Sequence, residues 1–152
     1  MKTNWVFLGV LLLACPVLGR TFVSLKSDEV NMRTGPGERF PIKFVYHKRT
    51  YPLEVLDTYD HWHQVQEADG TTGWVRETMV SSARYVRIQE ETPLLAKPLA
   101  DAPQKGTVKA GVIGRIRKCA ALSDYCLIQF KEIKGWLSKK SLWGIDPEEE
   151  ID

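Results

Sequence analysis

The sequence predicts an all-β protein, two small barrels in tandem behind an N-terminal leader. Three observations carry that prediction. Strand-like stretches are short and separated by turn residues, and their order returns 62 residues later. No window between Arg20 and Ser82 sustains a helical apolar stripe.

The leader comes first. Met1-Lys2 gives a positive start, Trp5 to Leu13 is almost wholly apolar, and small or turn-compatible residues fill Ala14 to Gly19. This is the three-part pattern of a secretory signal peptide over 1–19, cut between Gly19 and Arg20, and its apolar run is too short for an ordinary membrane span. Leu12-Leu13-Ala14-Cys15 also resembles a lipoprotein processing site, but Leu13 and Pro16 weigh against a lipid anchor at Cys15. The expectation is an exported chain, periplasmic or associated with the cell envelope, with no transmembrane anchor in its mature form.

The first domain is expected over 20–82. Glu29 to Arg33 alternates polar and apolar residues before the turn-rich Thr34-Gly35-Pro36-Gly37. Gly35-Pro36-Gly37 joins a fixed proline φ to two residues tolerant of positive φ, as a tight loop requires. Further strands are expected at Phe40–Tyr46, Leu53–Leu56, Trp62–Gln66 and Thr72–Arg76, with Glu77–Ser82 able to make one helical turn. The second domain, 83–145, repeats the order with strands at Tyr85–Gln89, Glu91–Ala96, Lys105–Ala110, Val112–Arg117, Tyr125–Lys131 and Lys134–Ser138. Gly73-Trp74 and Gly135-Trp136 close the two halves 62 residues apart, and Trp62 to Val65 answers Tyr125 to Ile128. Each glycine permits close backbone approach, and each tryptophan is read as packing over a small core. The acidic segment 146–152 is expected to be a solvated, disordered tail.

Removal of 1–19 leaves 20 Lys or Arg against 19 Asp or Glu. That balance supplies no long-range field for nucleic acid, which is excluded as a partner. Arg115, Arg117, Lys118, Lys139 and Lys140 are read as ordinary solvated surface. With Cys15 gone, Cys119 and Cys126 remain, an even count that in an exported chain argues for a disulfide. A hairpin turning through Ala120–Asp124 would set them opposite one another. The alternative is a pair of small buried thiols.

Val30-Asn31-Met32-Arg33-Thr34-Gly35-Pro36-Gly37, Trp62-His63-Gln64-Val65 and Gly73-Trp74-Val75 resemble the bacterial SH3 domain family. The second half is similar to a variant found in exported proteins of Gram-negative bacteria. The matching residues are Gly111 to Ile116, Cys119, Tyr125-Cys126, Gly135-Trp136-Leu137 and Leu142-Trp143-Gly144-Ile145. The resemblance implies two SH3-like barrels and the binding of cell-wall peptide, glycan or protein. It is incomplete in the second half, where Pro93-Leu94-Leu95-Ala96 replaces the Asn-Met-Arg-Thr run and Tyr125 replaces Trp62.

The candidate recognition surface is aromatic: Tyr46, Tyr51, Tyr59 and Trp62, with Asn31 and Arg33 as polar partners on one strand face opposite Met32. Catalysis finds no support, since Cys–His chemistry needs a free thiol and the mature cysteines are expected to pair. His61 and His63 alone make no metal site. Gly111 and Gly114 lack the strand–helix context of a phosphate loop. The expectation is therefore a non-enzymatic envelope binding or adaptor protein without cofactor or metal, its partner an envelope protein or peptidoglycan. The alternative is a structural envelope protein without a small-ligand pocket.

Overall fold

The computed structural model describes residues 19–152. The expected leader, apart from Gly19, and the lipidation question at Cys15 lie outside the described residues. The first half forms β1 (Thr21–Leu25), β2 (Val30–Arg33), β3 (Ile42–Tyr46), β4 (Pro52–Tyr59), β5 (Trp62–Gln66), β6 (Thr72–Arg76), a 3-10 turn at Glu77–Met79 and β7 (Val80–Ser81). The second half repeats this with β8 (Tyr85–Ile88), β9 (Thr92–Leu95), β10 (Gln104–Val108), β11 (Ile113–Cys119), β12 (Tyr125–Phe130), β13 (Ile133–Ser138), a 3-10 turn at Lys139–Ser141 and β14 (Leu142–Trp143). The sheets share one topology, β3-β2-β6-β5-β4-β1-β7 and β10-β9-β13-β12-β11-β8-β14, with antiparallel pairing throughout. The all-β tandem architecture is thus present as the strand rhythm predicts.

Each sheet wraps its own core. Leu25, Met32, Leu53, Val65 and Val75 are fully buried in the first, and Val86, Ile88, Ile128 and Leu137 in the second. The glycines of the Gly-Trp pairs explain the shared crossing of β2 over β6 and β9 over β13. A Cβ on Gly73 would lie 2.2 Å from Met32 Sδ, and one on Gly135 would lie 2.5 Å from Leu94 Cγ. No side chain fits there. Trp74 and Trp136 point away from those cores and are half-buried on the outer faces.

Gly35 has a different reason from the one its sequence suggests. Neither Gly35 nor Gly37 has positive φ. A Cβ on Gly35 would meet the Phe40 ring at 2.5 Å, so the ring's seat in the β2–β3 loop demands the glycine.

Strand β1 is absent from the sequence rhythm because both of its faces are covered. Val23 and Leu25 pack on the first core. Phe22 turns the other way and meets Trp143 edge-on, with ring centroids 5.6 Å apart. Ser24 Oγ donates to Ala83 O at 2.7 Å on the connection between the halves. Alternation disappears when both faces are buried.

Two expectations about charge are corrected. Residues 146–152 are no solvated tail: Ile151 forms a two-way backbone bridge with Cys119, and Glu149 pairs with Arg84. Lys139, expected on solvated surface, is 9% exposed and donates to Ala120 O at 3.0 Å and Pro147 O at 2.9 Å. Lys139 Nζ at Pro147 O and the open edge of Cys119 hold the acidic stretch against the second barrel.

Cys119 and Cys126 form a disulfide across β11 and β12, directly opposite in register with Cα atoms 4.4 Å apart. Because Cys119 spends its backbone N–H and C=O on Ile151, the cysteines face each other as a non-hydrogen-bonded pair. That is the closer of the two antiparallel spacings.

Candidate functional site

The first barrel carries a cleft of about 160 Å³ between the β2–β3 loop and strands β5 and β6. Asn31 and Arg33 reach it from the outer face of β2, Trp62 from the start of β5 and Arg76 from the end of β6. Glu29, Glu38 and Met79 complete its walls.

Most of these side chains are held. Arg33 Nη1 donates to Phe40 O at 2.9 Å and to Glu38 O at 3.1 Å, bracing the loop that forms one wall. Arg76 Nη2 donates to Glu38 Oε1 at 2.5 Å, and its guanidinium lies 5.4 Å from the centroid of the Trp62 ring. Trp62 is 8% exposed, so little of its ring is open to the cleft. The arrangement presents a preset fork of charges, two guanidinium groups and two carboxylates around an indole. Such a surface orients a polar, extended ligand more than it grips an apolar one.

The sequence-predicted residues divide among three places. Asn31, Arg33 and Trp62 converge in this cleft. Tyr46 and Tyr51 lie in a separate cluster, where their hydroxyls donate to the two oxygens of Glu67 at 2.6 and 3.0 Å. Their rings are 5.5 Å apart, and Phe44 meets Tyr46 edge-on at 4.9 Å. Burial, reinforced by the Glu67 carboxylate, pushes the Tyr51 hydroxyl up to about 12 and the more deeply buried Tyr46 higher still. Tyr59 is 63% exposed at the tip of the β4–β5 hairpin and lines neither region. Sequence reasoning missed Glu29, Glu38 and Arg76. Their signal was position alone: charges at the two ends of the β2 segment and directly after the Gly73-Trp74-Val75 run.

Among the described residues no group of three or more His, Cys, Asp or Glu side chains gathers, at His61 and His63 or elsewhere. His61 instead pairs with Glu77 at 2.7 Å and lies 3.5 Å from Asp60, and the bond to Glu77 raises its pKa above the ordinary histidine range.

Residues 26–82, and with them this cleft, match the family model described as the bacterial SH3 domain. The first barrel is therefore a bacterial SH3 domain, as its Asn-Met-Arg-Thr-Gly-Pro-Gly, Trp-His-Gln-Val and Gly-Trp-Val elements suggest. Among solved structures the chain is similar to NlpC2 from Trichomonas vaginalis, at 12% identity and a TM-score of 0.38, over 82% of this chain and 48% of that one. It is likewise similar to NlpC1 from Trichomonas vaginalis, at 12% identity and a TM-score of 0.38, over 85% of this chain and 47% of that one. The chain thus spans about half the length of these two structures. No curated protein matches it. Among the described residues no helix is long and apolar enough to cross a membrane.

Proposed function

We propose that this is a non-enzymatic binding or adaptor protein of the cell envelope that recognises an extended peptide, a protein segment or peptidoglycan through the cleft of its first barrel. One observation carries the reading: Asn31, Arg33 and Trp62 meet Glu29, Glu38 and Arg76 in a single concavity of a bacterial SH3 domain. Arg33 is held by the loop carbonyls it donates to, so a ligand loses little to ordering of that side chain. The leader sequence supports export, and the disulfide suits an oxidising compartment.

The test is retention of envelope components by the mature protein, beside sedimentation with purified peptidoglycan. Wild type is expected to retain one of them, and Arg76→Glu to weaken that retention roughly tenfold, as a central charged contact should. Asn31→Ala serves as a milder second variant that leaves the Glu38 pair intact. Failure of wild type to retain any envelope protein or glycan would sink the adaptor reading.

A structural role without a small-ligand pocket is the second reading. The junction at Phe22, whose ring meets Trp143 edge-on and the Arg84 guanidinium at 5.6 Å, supports it, since it joins the two barrels. On that reading an envelope assembly is retained, and neither Arg76→Glu nor Asn31→Ala changes the amount.

A further inference from the structure

Arg20 contacts both halves. Its Nε and Nη2 donate to Glu54 of β4 at 2.9 and 2.6 Å. Its guanidinium lies 4.8 Å from the Phe22 ring centroid and 4.7 Å from that of Trp143. Its backbone nitrogen donates to Asp146 Oδ2 at 3.1 Å, 126 residues away in the second half. Asp146 is itself held, since Oδ1 accepts from Glu148 N and its own N–H donates to Glu149 Oε2, both at 3.2 Å. A Cβ built on Gly19 would meet nothing within 4 Å.

We infer that Asp146 is the receptor for the processed amino terminus: cleavage between Gly19 and Arg20 turns the Arg20 nitrogen into an ammonium that ion-pairs with this carboxylate and latches the first barrel onto the second. The inference rests on the export reading. Hydrolysis adds one water across the Gly19–Arg20 bond. The hydroxyl goes to the Gly19 carbonyl, which leaves as a carboxylate, and the Arg20 nitrogen takes up protons to become an ammonium. An amide N–H contact to Asp146 thereby becomes a charge-assisted one with two further donors.

Several charged groups face this pair. Glu54 holds the Arg20 guanidinium, Lys139 lies near Asp146, and Glu149 contacts the Asp146 backbone while pairing with Arg84. The amine is held protonated, so its folded pKa lies above its unfolded one. The added stability is complete below the ordinary α-amino range of about 8 and disappears as pH rises through the raised value.

The experiment uses three full-length mature proteins released from a cleavable fusion: one starting at Arg20, one retaining Gly19, and one starting at Arg20 with Asp146→Asn. Asparagine keeps an acceptor for the backbone and removes only the charge. Near pH 6.5 the Arg20-start protein should have an unfolding constant roughly two- to fivefold below that of the Gly19 form, as a partly exposed ion pair supplies. The gap should close by about pH 10 and vanish with Asp146→Asn. NMR of the α-amine should show it titrating above the ordinary range, and within that range in the variant. Equal unfolding constants for the two starts, or an amine unmoved by Asp146→Asn, would overturn the inference. Intact mass of the natural protein separates the two claims. An unprocessed chain from Met1 defeats the export reading, and a chain starting at Arg20 with an unperturbed amine defeats this inference alone.

Discussion

Where the first barrel carries Arg33, opposite Trp74, the second carries Leu95, opposite Trp136. The exchange continues around the cleft. Pro93 takes the register position of Asn31, Tyr125 that of Trp62, and Ser138 that of Arg76. Leu95 is buried where Arg33 is half-exposed. One topology therefore supports two uses of the same positions, charged and concave in the first barrel, uncharged in the second.

A second exchange runs along the 3-10 turns. Glu77 N donates to His61 O and Lys139 N to Asp124 O, a shared backbone bond. The side chains are reversed in sign: acid on the turn and base on the hairpin in one barrel, base on the turn and acid on the hairpin in the other. Lys139 then gathers Ala120 O and Pro147 O, tying the closing segment to a barrel that already has a disulfide. The difference teaches that the scaffold is fixed by backbone bonds and glycines, while the outward side chains are free to diverge.

The largest expected effect separates the barrels most cleanly. Replacing Cys119 and Cys126 together with alanine should cost about 2.5 kcal/mol by the chain-entropy account. Denaturant unfolding followed by NMR should show the loss in Val86, Ile88 and Leu137, with Met32 and Val65 little changed. Equal destabilisation of both cores would break the view that each barrel has its own. Peptide mapping of the natural protein without reductant should find one pair joined through these cysteines.

Next in size are Gly73→Ala and Gly135→Ala, which probe what the barrels share. Each forces a methyl into an occupied crossing and should cost about 1–3 kcal/mol. The flexible Met32 can yield more readily than Leu94, so Gly135→Ala should be the more damaging. A mild effect at both sites would remove the crossing as the reason for the Gly-Trp repeat.

The smallest effect is a pH dependence found only in the first barrel. Its hydrogen bond to Glu77, with Asp60 nearby, raises the His61 pKa. The stabilisation this gives is therefore complete below about 6.5 and lost as pH rises through the raised value. In a proton NMR titration, Glu77→Gln should bring the His61 midpoint down towards the ordinary histidine value. An unchanged midpoint would deny the pair any influence on the hairpin.

Much of this architecture was legible in the chain itself. The spacing of Gly73-Trp74 and Gly135-Trp136, and of Trp62 and Tyr125, marked two copies of one strand order, because register and close crossings impose residue types locally. The cysteine pair was legible for the same reason, since a short hairpin sets its members opposite each other. Asn31, Arg33 and Trp62 were visible as site candidates because two share a strand face and the third begins a strand. Tyr46 and Tyr51 looked equivalent to Trp62 in sequence, yet only folding sends them to Glu67 instead of the cleft. Strand β1 and the closing segment 146–152 were hidden for a related reason. Phe22 is buried by Trp143, and Ile151 by the open edge at Cys119, each a partner from a distant part of the chain. Sequence pattern reports which face of an element is covered by its own sheet. What covers the other face depends on how the two barrels meet, and only the tertiary structure decides that.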